Sequence, residues 1–282
     1  MSPLSHCDSE FLEKKAFKIR HHIINTIIKN GEGHVASALS CADILSVLYM
    51  KIMNINPKNP EWDERDKFIL SAGHKCLALY GALVERGFVE EEVLNTYNKL
   101  GSPIPGHPDM KKLKGVEFST GSLGHGLSIG CGMALAAKLD KKNYKVYVLM
   151  GDGEQGEGSV WEAAAYASHN KLDNLVAIID RNGLQINGTT KEILNTAPLE
   201  EKYSAFGWSV KVIDGHSIQE IYDTLVSVPF DQGKPNMIIA NTIKGKGLSF
   251  AENNRLYHHW HPDKEEVEKA IAELNEYERR WL

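Results

Sequence analysis

Residues 145–188 read KVYVLMGDGEQGEGSVWEAAAYASHNKLDNLVAIIDRNGLQING, and the pattern of this stretch decides the fold. Val146 to Met150 form a short apolar run of strand length, closed by Gly151. A helix is expected from about Gly158 to Asn170, with Val160, Trp161, Ala164, Ala165 and Ala167 on its apolar faces. Asn174 to Ile179 is again almost continuously apolar, as a strand covered on both faces would be. Strand, helix and strand make a βαβ unit whose two strands should lie parallel with a right-handed crossover.

Asp152 and Asn182 each follow the carboxyl end of one of these strands. Neighbouring strands lie about 4.8 Å apart, so both side chains can reach one ion. Ligands of open parallel sheets collect at this same edge. A carboxylate, an amide and a loop carbonyl suit Mg²⁺ or Ca²⁺ rather than zinc, because hard cations prefer oxygen. Gly-Asp-Gly or Asn-Gly alone would be a turn more often than a ligand. Their placement at the ends of successive strands favours a metal–diphosphate site.

GDGEQGEGSVWEAA followed by LDNLVAIIDRNGLQINGTT resembles transketolase, a thiamine diphosphate enzyme family. The resemblance implies that Asp152 and Asn182 bind the divalent ion and that the Leu184 carbonyl is the third protein ligand. It implies a Gly153 contact to the diphosphate, and it matches Glu157 to a glutamate near the subunit interface. The implied cofactors are thiamine diphosphate and Mg²⁺, with Ca²⁺ or Mn²⁺ able to substitute.

Other segments carry the same resemblance. Glu10 to Lys29 is an amphipathic helix stopped by Gly31 and Gly33, with His21 and His22 structural or solvent-facing. His34 follows in a loop before a helix that Ser40 is expected to cap and that runs to about Met53. The family has a substrate-facing histidine here, although GHVASA replaces its usual GHPGAP. Lys67 to Leu70 read as a strand leading through Gly73-His74 into a helix ending near Arg86. FILSAGHKCLALY resembles the family pattern that sets His74 near the diphosphate. A helix is expected around Glu91–Leu100, and then SPIPGHPD presents His107 from a loop stiffened by prolines.

In GVEFSTGSLGHGLSIGCGMALAAKL, small residues before and within a helix permit close backbone approach. Family analogy assigns main-chain cofactor contacts to Gly121 and Leu123, with Ser122 and His125 standing where Pro and Gln are frequent. Helices around Leu199–Phe206 and Ile218–Val226 alternate with strands at Ser209–Ile213 and Met237–Asn241. In the stretch ending LYHHWHPD, His258, His259 and His261 match no zinc spacing and have no cysteine nearby. The family has one substrate histidine there; His258 is the better positional match and His259 the alternative. A charged helix from about Lys264 to Arg280 closes the chain.

The whole is expected to be an α/β fold with a mostly parallel central sheet flanked by helices on both faces. Its 282 residues suffice for one large domain. Residues 1–282 are expected to form a single diphosphate-binding domain, without the family's pyrimidine-binding and C-terminal domains. A net charge of −5 without basic clusters gives no support for nucleic-acid binding. No apolar run approaches membrane-spanning length and no secretory leader is visible. The four scattered cysteines read as reduced thiols of a cytoplasmic protein.

The resemblance implies transfer of a two-carbon ketol unit from a ketose phosphate to an aldose acceptor, with His34, His107 and His258 serving the substrate. The chain begins at Met1 and ends on a helix, as a complete polypeptide could. The expectation is therefore the N-terminal subunit of a split transketolase. A C-terminal subunit would supply the pyrimidine-binding domain and its glutamate, in an α2β2 assembly. The alternatives are the α subunit of a thiamine-dependent 2-oxoacid dehydrogenase, or a non-catalytic cofactor-binding homologue.

Overall fold

The computed structural model describes residues 4–279 and builds them around one five-stranded, all-parallel sheet. The strands are β1 (Lys67–Leu70), β2 (Val146–Gly151), β3 (Leu175–Arg181), β4 (Ser209–Asp214) and β5 (Asn236–Asn241), in the order β1-β2-β3-β5-β4. The helices are α1 (His6–Asn30), α2 (Ala36–Ser40), α3 (Ala42–Val47), α4 (Cys76–Arg86), α5 (Gly126–Leu139), α6 (Gly158–His169), α7 (Thr190–Ile193), α8 (Leu199–Ala205), α9 (Ile218–Val226) and α10 (Lys264–Glu278).

The continuous apolar strands cover two cores because successive side chains point to opposite faces. Phe68, Leu70, Tyr147, Leu149, Val176, Ile178 and Ile238 pack beneath α1, α3, α4 and α9. Ile69, Val146, Val148, Met150, Ala177, Ile179 and Ile239 pack on the other side with α5, α6 and α8. Val148 pairs with Ala177, and Gly151 with Asp180, so β2 and β3 end level with each other. This register carries Asp152 and Asn182 past the same edge of the sheet.

Two expectations need correction. Helix begins at Ala36, so Ser40 is not an N-cap; it is buried and donates its hydroxyl to Asp180 at 2.6 Å. The helical run then breaks at Cys41 and widens into a π turn over Leu48–Ile52. The segment expected to be a helix over Glu91–Leu100 forms only a 3₁₀ turn, Glu91–Thr96. The final helix reaches Glu278, and its expected end at Arg280 lies outside the described residues. Cys41, Cys76 and Cys131 are buried free thiols, whereas Cys7 is exposed. No described helix is long and apolar enough to cross a membrane.

Candidate active site

All five strands run the same way, so the loops after β1, β2, β3 and β5 meet above one edge of the sheet. Between them is a cavity of about 220 Å³, lined among others by His74, Lys75, Leu123, Asp152, Gly153, Asn182, Leu184, Lys244 and His258.

Asp152 is buried, and its carboxylate accepts the backbone N–H of Gly153 at 2.9 Å and of Gly183 at 2.6 Å. Gly183 sits at φ +77, where a side chain would be strained, and this turns the chain so that its amide meets Asp152. Asn182 donates its amide N–H to Asp180 at 3.2 Å, and its Oδ1 accepts the N–H of Leu184 at 3.2 Å. The loop then doubles back through the bridge Leu184–Thr189 into α7, whose Thr189–Glu192 capping box anchors it. Burial, reinforced by the nearby charge of Asp180, pushes the Asp152 carboxyl up to about 6. A buried carboxylate supported only by backbone amides, beside amide and carbonyl oxygens, fits a hard divalent cation.

Beneath it lies a charged layer that the sequence pattern does not reveal. Asp180 is fully buried and accepts from Lys75, Ser40, Thr242 and Asn182. Burial opposes its ionisation, but the Lys75 charge and these hydrogen bonds outweigh that cost and hold the carboxyl below its ordinary value. Lys244 is also buried, and its ammonium donates to the Leu184 carbonyl at 3.1 Å and lies 3.3 Å from His258 Nδ1. Burial, together with the charge of Lys75, lowers it to about 8. Lys244 forms no ion pair among the described residues, and a cation so placed suits an anionic ligand.

Glu154, which the sequence reading does not single out, is the structural glutamate of the glycine loop. Its buried carboxylate accepts from Ser71, from the N–H of Gly124 at 2.8 Å and from that of Gly151 at 3.0 Å, joining three loops. Glu157 stands exposed and does not line the cavity. Gly121 lies beside the His107 ring, and His125 is exposed at the start of α5.

The histidines gather around His34. Its ring centroid is 5.6 Å from His74, 6.3 Å from His107, 5.3 Å from His258 and 4.7 Å from His259. His258 enters the inner cavity, whereas His34, His107 and His259 line a wider outer hollow of about 560 Å³. Burial lowers His34 to about 4 and His258 to about 3, with the neighbouring His259 and Lys244 charges respectively adding to it. Both rings are therefore neutral near pH 7 and can each donate one hydrogen bond and accept another.

A family profile described as "Transketolase, thiamine diphosphate binding domain" matches residues 12–276. An apulose-4-phosphate transketolase subunit from Phocaeicola vulgatus is 45% identical over 267 residues, covering 95% of this chain and 95% of that protein. A 6-deoxy-6-sulfo-D-fructose transketolase subunit from a Clostridium species is 45% identical, covering 93% of this chain and 96% of that protein. A crystal structure of transketolase from Campylobacter jejuni superimposes with a TM-score of 0.88 at 34% identity, covering 94% of this chain and 43% of that one.

Proposed function

The chain belongs to the transketolase family, through its thiamine diphosphate-binding domain, and from that premise we propose that it is the N-terminal subunit of a split transketolase. With a partner subunit it transfers a glycolaldehyde unit from a ketose phosphate to an aldose acceptor, in cytoplasmic carbohydrate metabolism of the pentose phosphate type. The described residues are read as one diphosphate-binding domain. The observation that carries the proposal is the convergence of Asp152, the Asn182 loop and Lys244 on one cavity.

In this reading Asp152, Asn182 and the Leu184 carbonyl hold Mg²⁺. Lys244 and His74 lie against the diphosphate, with Gly153, Gly121 and Leu123 offering backbone to it. Thiamine diphosphate supplies, when bound, the nucleophilic thiazolium carbon that cleaves a bond next to a ketone. His34, His107 and His258 hydrogen-bond sugar hydroxyls, His34 and His258 doing so as neutral imidazoles that each donate one bond and accept another. Glu157, exposed on the glycine loop, is assigned in this reading to the subunit interface near the cofactor.

Two features support a partner chain. Relatives of matching length are named as subunits. Ile186, Ile193 and Leu194 leave apolar surface exposed on the loop that borders the cavity. An α2β2 assembly would cover that surface and bring in the pyrimidine-binding domain. The transketolase names of the relatives disfavour the 2-oxoacid dehydrogenase alternative.

Two relatives of equal identity bear the names of different sugars, so kinship does not select the sugar. Reconstituting the chain with its partner and supplying ketose phosphates, a sulfo-ketose and 2-oxoacids tests the reading. Two-carbon transfer from a ketose donor is expected, and turnover of 2-oxoacids alone would overturn it.

A further inference from the structure

The histidine-rich stretch divides on folding. His258 enters the inner cavity, while His259 and His261 stand outside it with Glu32. The cause is a short antiparallel ladder between the two chain segments. Gly33 donates its N–H to the Trp260 carbonyl at 3.0 Å, and Trp260 donates its own to Gly33 at 2.8 Å. His259 is extended at φ −124, ψ 124. Alternate side chains of extended backbone share a face, so Glu32 and His34 come opposite His261 and His259.

Both central residues of the ladder are fixed. Trp260 is buried on the opposite side, with its indole N–H donated to Glu266 at 2.8 Å. Gly33 packs so closely that an added Cβ would lie 2.7 Å from an Ile27 side-chain carbon. The outer face is thus held in register by two anchored residues. On it, His259 Nδ1 lies 3.1 Å from His261 Nε2, and His261 Nδ1 lies 3.7 Å from a Glu32 carboxylate oxygen. One donor atom from each of the three residues falls within 4.8 Å of the other two.

We propose that Glu32, His259 and His261 bind a borderline divalent transition ion, Zn²⁺ above all, at a site separate from the oxygen-ligand site at Asp152. Zinc takes imidazole nitrogen and carboxylate oxygen at about 2.0–2.2 Å, so two ligands of one tetrahedral ion stand roughly 3.3–3.6 Å apart, a little beyond the 3.1 Å between the His259 and His261 nitrogens. Two imidazoles and one carboxylate match Zn²⁺, Co²⁺ or Ni²⁺, whereas Mg²⁺ and Ca²⁺ favour oxygen alone. Three protein ligands leave a coordination position for water or a substrate oxygen. His259 also lines the outer hollow beside His34, so that open position adjoins this hollow. The proposal does not depend on the assignment as a transketolase. The competing account is a plain imidazole–imidazole hydrogen bond.

The full-length chain, stripped with chelator and held in excess Mg²⁺, is titrated with Co²⁺ by visible absorption and with Zn²⁺ by calorimetry. One ion per chain is expected, with ligand-field bands that Zn²⁺ abolishes. His261→Gln and Glu32→Gln should each weaken binding about tenfold or more, while Asp152→Asn leaves the bands unchanged. The His261 side chain is 66% exposed and that of Glu32 is half-buried at 45%, so these variants should fold, as circular dichroism will verify. Absence of saturable binding below millimolar Co²⁺ or Zn²⁺ overturns the site in favour of the hydrogen bond. Binding that persists equally in His261→Gln and Glu32→Gln also overturns it.

Discussion

The carboxylate of Asp152, at the end of one strand, accepts the backbone N–H of Gly183 from beyond the end of the next at 2.6 Å. The bond locks the two edge loops together before any ligand arrives. It requires the left-handed backbone of Gly183, at φ +77. Alanine there should cost about 1–2 kcal/mol in strain and loosen the cation site. The expected result for Gly183→Ala is a lower unfolding midpoint in urea together with a higher Mg²⁺ concentration for half-maximal activity. An unchanged Mg²⁺ requirement would show that the loop lock is dispensable.

The ion pair between Lys75 and Asp180 is almost completely excluded from water, with side chains 2% and 0% exposed. Removing one member of such a pair leaves an uncompensated buried charge, at a cost of about 3–5 kcal/mol. Lys75→Met should therefore destabilise strongly, and Lys75→Met combined with Asp180→Asn should be less destabilised than the single losses summed. A double-mutant cycle in urea measures the coupling. Additive losses would contradict it.

Asp43 is buried against Arg20 and His216, at 2.9 Å and 2.7 Å. Burial alone would raise its carboxyl, but the Arg20 charge and the hydrogen bonds outweigh burial and lower it from 3.8 to about 2. A depressed carboxyl gives stability that is present above pH 4 and lost as pH falls toward 2, because the unfolded chain takes up the proton first. The loss is roughly 2 kcal/mol. The stability gap between wild type and Asp43→Asn should shrink by about this amount between pH 6 and pH 2. A gap independent of pH would rule the linkage out.

Lys244 meets a carbonyl and an imidazole rather than a carboxylate, which leaves its charge available to an anionic ligand. A hydrogen bond involving a charged group contributes about 1.5–3 kcal/mol, so Lys244→Met should weaken thiamine diphosphate binding roughly 10- to 100-fold. The requirement for a divalent ion should survive. Equal affinity in the variant would remove Lys244 from the site.

The sheet is legible in the sequence because its strands are apolar on both faces and end in glycine and asparagine loops. The loops of the candidate cation site and the histidines that gather at the cavity are the ones the motif resemblance singles out. Lys75, Asp180 and Lys244 are not. Lysine and aspartate are ordinarily surface residues, and only the tertiary packing shows that three of them are buried under the cavity. Ser40 misleads for a related reason: a serine before an apolar run suggests a cap, whereas this one serves a buried aspartate from within the helix. Glu32 lies far from His259 and His261 in sequence, so linear metal spacing does not reveal that group.

The most direct test of the account is calorimetric binding of thiamine diphosphate to the chain reconstituted with its partner, with and without Mg²⁺, for wild type and Asp152→Ala. The account predicts tight, Mg²⁺-dependent binding by wild type and a loss of about 100-fold or more in the variant, corresponding to roughly 3 kcal/mol. Equal affinity for both proteins, or binding indifferent to Mg²⁺, would contradict the placement of the cation between Asp152 and the Asn182 loop.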